Sequence, residues 1–210
     1  MLYRRLFPQL ADREWQALDL DALARTDFPG PGRARGDNPL NDPEVCRRWV
    51  ERRQERAGVE FSFGGYLEDR SHLWRGHYQE STGRFVHLGV DYNVPAGTEV
   101  FAPCPLVVQE VWADPDQDGG WGGRVIVRMP GSDLFLIFAH LEHDPLPFGG
   151  EQWATGVRVG GVGRAEVNGG WFPHLHVQCI RGALPEDLDG YAMASPDLRE
   201  RFPDPEEAIR

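Results

Sequence analysis

The feature that most constrains the fold of this chain is a series of short β-like segments that starts at Phe61 and ends at Ile180. The segments are rich in β-branched and aromatic residues, and clusters of turn residues separate them. The 25 glycines and 17 prolines suit many short strands joined by tight turns. The predicted strands are 61–66, 84–94, 99–102, 106–113, 124–129, 134–140, 157–162 and 174–180. This spacing predicts a mainly β fold, either an antiparallel β-sandwich or an open, barrel-like sheet.

Helical patterns precede this β-rich part, which makes the chain α+β overall. Residues 9–25 place Leu10, Trp15, Leu18 and Leu23 roughly on one stripe, which predicts an amphipathic helix.

A second helix is predicted over 43–57, with Asn41 or Asp42 as its N-cap and Gly58 after its end. Its arginines alternate with glutamates, which is typical of a solvated helix face. We expect an N-terminal helical extension over 1–60, a β-rich domain over 61–182 and a tail over 183–210. One short helix is expected in the tail, near 205–209.

Two short segments carry the pattern of an open metal site. His87 and Asp91 are four residues apart, and His174 and His176 are two apart. Because side chains alternate faces along a strand, each even spacing puts both members of a pair on one side. Two or three imidazoles and one carboxylate, with a position left for water, form a ligand set for catalytic zinc. Manganese or cobalt could occupy the same ligands.

The charge and the cysteines exclude several classes of protein. A formal charge of −11 argues against nucleic acid and against an anionic membrane surface as the main partner. The chain has neither an apolar run of the ~20 residues that a membrane helix needs nor a recognisable signal peptide. Three widely spaced cysteines indicate neither a disulfide framework nor a thiolate zinc site. We therefore expect a cytoplasmic protein, although a trimmed secreted or periplasmic chain would show the same features. No pattern indicates an oligomeric state.

Other polar residues favour ordinary surface roles. Residues 114–119 imitate the start of a calcium-binding EF-hand loop, but the twelfth position is Val125 instead of Glu, so we expect a solvated hairpin turn. His143 follows the end of a predicted strand and is not expected to be a ligand. His72 and His77 are expected in a surface loop before the first motif.

Three segments, taken together, resemble the motifs of the LytM and lysostaphin type of zinc metalloendopeptidase. The match covers roughly residues 61–180, and Phe138 stands where many relatives carry Tyr. More narrowly, residues 64–70 and 168–174 resemble a branch that lacks secretion signals. The three segments, in the family's order, are His87-Leu-Gly-Val-Asp91, Phe138-Ala-His140-Leu141 and Gly170-Trp-Phe-Pro-His174-Leu-His176.

The resemblance implies a role for each of five residues. His87, Asp91 and His176 would hold zinc, and His140 and His174 would flank the activated water. A zinc ion held by two neutral imidazoles and one carboxylate can lower the pKa of bound water to about 7. The two flanking histidines would accept a proton, stabilise the oxyanion or protonate the leaving amine. The expected function is zinc-dependent cleavage of peptide bonds, in peptidoglycan fragments or in other peptides rich in small residues.

Two other functions are compatible with the same residues. The chain could be a non-catalytic regulatory module of the same fold that binds zinc and docks partners through its acidic surface. Two histidines and one carboxylate also form the facial triad of non-haem iron oxygenases. That chemistry would leave His140 and His174 without a clear role, so we rank it last.

Overall fold

The computed structural model of the chain describes residues 1–30, 38–76 and 81–209. The α-helices are α1 (Tyr3–Leu6), α2 (Leu20–Asp27), α3 (Pro43–Ala57), α4 (Leu198–Arg201) and α5 (Pro205–Ala208). The strands are β1 (Trp15–Ala17), β2 (Phe61–Gly64), β3 (Val86–His87), β4 (Val90–Asn93), β5 (Glu99–Phe101), β6 (Leu106–Ala113), β7 (Gly123–Arg128), β8 (Leu134–Leu141), β9 (Gln152–Trp153), β10 (Arg158–Gly161), β11 (Leu175–Arg181) and β12 (Tyr191–Ala192).

The main structural element is an open eight-stranded sheet in the order β1-β2-β4-β11-β8-β7-β6-β9. Its neighbouring strands are antiparallel except for the parallel pair β1 and β2. Two small sheets, β10-β5 and β12-β3, flank it. The prediction of a mainly β fold with additional helices is therefore confirmed, in the form of an open sheet.

The two faces of this sheet carry different kinds of residue. On β11, Val177 and Cys179 belong to the main hydrophobic core, while His176, Gln178 and Ile180 alternate with them on the opposite face. We call this second face the site face. Because burial of apolar side chains is the dominant stabilising term, the core face fixes the register that determines what lies on the site face.

The two ends of the chain complete the main core. Leu2, Leu6 and Phe7 from the N-terminal end and Ile209 from the C-terminal end are buried in the same cluster as the central strands. Glu206 bridges the ends of the chain and the sheet, since it accepts hydrogen bonds from the Leu2 amide and the Tyr92 hydroxyl. The division at residues 60 and 182 remains a prediction, but both flanking segments contribute to the core of the β-rich part.

The second predicted helix forms as expected. Helix α3 spans Pro43–Ala57, the Asp42 carboxylate accepts hydrogen bonds from the amides of Glu44 and Val45, and Gly58 ends the helix in the left-handed conformation. Arg47 and Arg48 pair with glutamates three or four residues away on the exposed face, whereas Arg53 pairs with Asp27 of α2.

The predicted helix over 9–25 is wrong in its first half. Residues 15–17 form β1, which pairs in parallel with β2 with Trp15 opposite Phe61. The Trp15 ring stacks on Tyr3 at 4.6 Å, so tertiary packing overrides the local helical stripe. Helix α2 begins only at Leu20, where the Asp19 side chain caps it.

The predicted strand over 84–94 is interrupted. It forms β3 and β4, which Leu88 and Gly89 separate. The short elements β9, β12 and α4 carried too few residues for a detectable pattern, whereas α5 forms at the expected place. None of the helices in the described ranges is long and apolar enough to cross a membrane.

Candidate metal centre

The pairing of β4 with β11 places Asp91 directly opposite His176 on the site face. His87 ends β3 and reaches the same place across the Leu88-Gly89 connection. Glycine is required at position 89, because a Cβ atom there would lie 2.6 Å from His176 Cε1. The His87–Asp91 segment therefore packs against His176 at this glycine.

Three ligand atoms converge at this point. The donor atoms that His87, Asp91 and His176 can offer all lie within 4.8 Å of one another. His176 Nδ1 lies 3.0 Å from Asp91 Oδ1 and 3.0 Å from His87 Nε2, and His87 Nε2 lies 3.4 Å from Asp91 Oδ1. All three side chains are buried. Two nitrogens and one carboxylate oxygen are a donor set that suits zinc.

Hydrogen bonds on the far side of each imidazole orient its free nitrogen toward this point. His87 Nδ1 donates to the Gly65 carbonyl at 2.9 Å, and His176 Nε2 donates to Gln178 Oε1 at 3.1 Å. These acceptors assign the protons, so His87 Nε2 and His176 Nδ1 carry lone pairs. Such partners are typical of histidines that bind metals, and the residues present therefore fit a zinc ion.

His174 lies next to this donor set. Its Nδ1 donates to the Phe172 carbonyl at 2.8 Å, which leaves Nε2 as the acceptor. That Nε2 lies 3.8 Å from Asp91 Oδ1. His174 is therefore a neutral base held beside the donor set.

A β-bulge brings His140 to the same face. The register between β7 and β8 shifts between Gly123 and Val125, so that Ala139 and His140 together oppose one residue of β7. His140 has a φ of 63°, in the left-handed region. Strict alternation would turn its side chain to the core, but the His140 ring lies 4.4 Å from that of His174.

Burial determines the protonation of these groups. It lowers the pKa of His87 to about 3, and it lowers the pKa of His140 and His174 as well. Burial alone would raise the pKa of Asp91, but the positive charge of the nearby Arg70 holds that pKa well below its usual range. His87, His140 and His174 are therefore neutral and Asp91 is ionised at neutral pH, and these are the forms that bind a metal or accept a proton.

Comparisons with known proteins find relatives for part of the chain. No protein-family model matches the chain. An uncharacterised metalloprotease of Haemophilus influenzae is 32% identical over 98 residues, which is 46% of this chain and 19% of that protein. The chain thus spans about a fifth of the length of this relative.

Solved structures of peptidases are also similar to part of the chain. The catalytic domain of the prophage-encoded protein EnpA from Enterococcus faecalis is 26% identical, over 47% of this chain and 70% of that domain, with a TM-score of 0.39. The catalytic domain of lysostaphin from Staphylococcus simulans is 22% identical, over 48% and 71%, with a TM-score of 0.40.

The chain resembles LytM and lysostaphin-type metallopeptidases. The metalloprotease match supports the resemblance that the three motifs predicted.

In this lysostaphin-like chain, an open cavity of about 270 Å³ lies over the candidate ligands. Its aromatic walls come from four separate parts of the chain: Trp74, Trp121, Trp171 and Tyr191. Glycines 119, 120, 169 and 170 also line the cavity. The two glycine pairs meet there, since a Cβ atom at Gly169 would lie 2.1 Å from the Gly120 carbonyl oxygen. At these four positions the cavity wall presents backbone instead of side chains.

The structure adds detail to two expectations for the polar residues. Residues 114–119 lie in the turn that joins the antiparallel strands β6 and β7, and residues 115–119 are exposed, as expected. Asp114 is buried, however, where its Oδ2 accepts the Trp121 amide at 2.8 Å, and residues 117–121 also line the cavity. His72 packs against the N-terminal part, where its Nε2 lies 3.2 Å from the Phe28 carbonyl oxygen. His77 lies outside the described residues.

Sequence reasoning missed three residues that contact the candidate ligands. Gln178 accepts a hydrogen bond from His176, and Arg70 donates one to Asp91. The Tyr191 ring lies 5.2 Å from the His87 ring. The sequence carried a signal only for Arg70, because it ends the 64–70 segment that resembles one branch of the family.

Proposed function

We propose that this chain is a zinc-dependent metalloendopeptidase that hydrolyses peptide bonds. The observation that carries the proposal is the convergence of His87 Nε2, Asp91 Oδ1 and His176 Nδ1 in one buried donor set. Two further neutral imidazoles lie beside it, which a purely structural metal site would not need.

The proposed chemistry divides between the metal and the protein. Zinc in this donor set would lower the pKa of bound water to about 7 and polarise the scissile carbonyl. His174 accepts a proton at Nε2, because its Nδ1–H is held by the Phe172 carbonyl at 2.8 Å. His140 also lines the cavity, where it would donate or accept a proton once substrate is bound. Burial keeps both imidazoles neutral and ready to take up a proton.

The proposed substrate is an extended peptide with small side chains, such as a peptidoglycan fragment. The glycine-lined part of the cavity would let a peptide backbone approach the ligands closely. The aromatic walls would pack against its flanks and exclude water from the scissile bond.

The test is release of fragments from a mixture of cross-linked muropeptides and glycine-rich peptides by the zinc-loaded protein. His174→Ala should keep one equivalent of zinc and lose at least 100-fold in kcat/KM. His143→Ala is the matched control, because His143 does not belong to the donor set, and it should cleave at the wild-type rate.

Full hydrolysis by His174→Ala with zinc bound would overturn the proposed role of His174. Zinc binding by the wild-type protein without any cleavage would favour the non-catalytic regulatory module. Product formation that requires oxygen and iron would point to the oxygenase.

A further inference from the structure

Arg70 is a buried charge that binds the candidate metal ligand Asp91. Its side chain is 1% exposed. Arg70 Nη1 donates to Asp91 Oδ2 at 2.7 Å, and Arg70 Nε donates to Glu68 Oε2 at 2.9 Å. An arginine between two buried carboxylates is held by strong, charge-assisted hydrogen bonds.

The surroundings of Arg70 hold its guanidinium in one position. Glu68, its second partner, accepts the Asp21 amide through Oε1 at 2.6 Å, in the first turn of α2. The Tyr191 hydroxyl lies 3.2 Å from Arg70 Nη1. Gly65 leaves the space that the arginine needs, because a Cβ atom there would lie 2.1 Å from Arg70 Nη2.

The two oxygens of Asp91 consequently have different partners. Oδ2 is taken by Arg70, whereas Oδ1 lies 3.0 Å from His176 Nδ1 and 3.4 Å from His87 Nε2. A carboxylate can bind a metal ion through one oxygen or through both. A metal ion at this donor set would therefore contact only Oδ1, because Arg70 occupies Oδ2.

We propose that Arg70 is a positioning residue, an inference that rests on the proposed metal site. By holding Asp91 Oδ2, Arg70 leaves Asp91 with one oxygen for a divalent metal, and one coordination position of the metal stays open. The guanidinium suits this function better than an ammonium group would, because its fork binds two carboxylates at once. Through Glu68 and α2, the N-terminal part of the chain thereby supports the metal site.

The experiment is the visible absorption spectrum of the cobalt-loaded protein, combined with a chelator competition that measures cobalt affinity. Four-coordinate cobalt absorbs more strongly than five-coordinate cobalt, so the spectrum reports how many oxygens Asp91 provides. The variants are Arg70→Gln, which removes the charge, and Arg70→Lys, which keeps it. Arg158→Gln is the matched control, since Arg158 forms an exposed ion pair with Glu99.

We expect Arg70→Gln to weaken the visible band and to change cobalt affinity by about 10- to 100-fold. Arg70→Lys should recover part of the band intensity and part of the cobalt affinity. Arg158→Gln should have the wild-type spectrum and affinity. A folded Arg70→Gln protein with the wild-type spectrum and affinity would overturn the inference. Wild-type protein that binds no cobalt, or binds it equally well as His176→Ala, would instead overturn the proposed function.

Glu68→Gln replaces Arg70→Gln if circular dichroism shows that the latter is unfolded. It removes the charge that holds Arg70 Nε, so that the guanidinium is no longer fixed against Asp91 Oδ2. A weaker band in this variant supports the inference, and an unchanged band with unchanged affinity overturns it.

Discussion

His176 donates its Nε2–H to Gln178 Oε1 at 3.1 Å, although both residues belong to the same strand, β11. Side chains two residues apart lie on one face of a strand, so this contact depends only on the geometry of β11. The contact directs His176 Nδ1 to Asp91, and Gln178 Nε2 is itself held by the Asp189 carbonyl at 3.3 Å.

Replacement of Gln178 should weaken metal binding. Gln178→Leu preserves the volume but removes the acceptor, so His176 loses the partner that fixes its tautomer. We expect about 10- to 100-fold weaker zinc affinity in a competition titration with a chromophoric chelator. Gln178→Glu, which keeps an acceptor, is the control and should bind zinc at least as tightly as the wild type. Wild-type affinity in Gln178→Leu would contradict the assigned tautomer.

A methyl group at Gly89 should displace His176. The added Cβ atom would lie 2.6 Å from His176 Cε1 and 2.6 Å from the Val177 carbonyl oxygen. We expect Gly89→Ala to lower the free energy of unfolding by about 1–3 kcal/mol and to weaken zinc binding. Gly30→Ala is the control, because nothing lies within 4 Å of a Cβ atom there. Equal unfolding curves for the two variants, measured in urea, would refute the close contact.

The left-handed backbone at His140 should favour glycine over alanine. His140 has a φ of 63°, so His140→Gly should be more stable than His140→Ala by about 1 kcal/mol, while both lose hydrolysis. Ala139, the neighbour in the bulge, is not among the residues with positive φ, and Ala139→Gly should be destabilising. Urea unfolding of the three variants measures these differences in stability. If the bulge were absent, His140→Ala would be more stable than His140→Gly.

The metal-free protein should lose stability as the pH falls below about 6.5, because of His87. Its pKa is about 3 when folded and about 6.5 when unfolded, so only the unfolded chain takes up a proton in this window. The unfolding free energy should fall by about 1.4 kcal/mol per pH unit more steeply in the wild type than in His87→Gln. Glu68, whose pKa burial raises to about 7, changes in the opposite direction, but it does so in both proteins.

Urea unfolding at pH 6.0, 5.5 and 5.0, with chelator present, measures this difference. The lowered pKa of Asp91 changes the unfolding free energy only below about pH 4, since the unfolded carboxyl is ionised above that pH. It therefore does not contribute to the difference measured between pH 5.0 and 6.0. Parallel curves for the two proteins would show that His87 is not held neutral by burial.

Local patterns determined the parts of this protein that depend on local physics. The cap at Asp42 and the left-handed Gly58 define α3, and the apolar run that forms β6 gives the strand over 106–113 as predicted. The even spacing of His87 and Asp91 and of His174 and His176 predicted that each pair would lie on one side of its strand. The structure brings all four side chains together, although His87 and Asp91 lie in separate strands. Their catalytic and ligand roles remain predictions.

Tertiary structure alone decided the elements whose partners are distant in the sequence. Trp15 lies in a strand because β2 offers it an edge, and His140 reaches the site face because β7 and β8 differ by one residue at the bulge. Arg70 and Tyr191 are 121 residues apart, yet they meet beside Asp91. Periodicity, caps and turns act over a few residues, whereas these contacts exist only once the sheet order has brought the segments together.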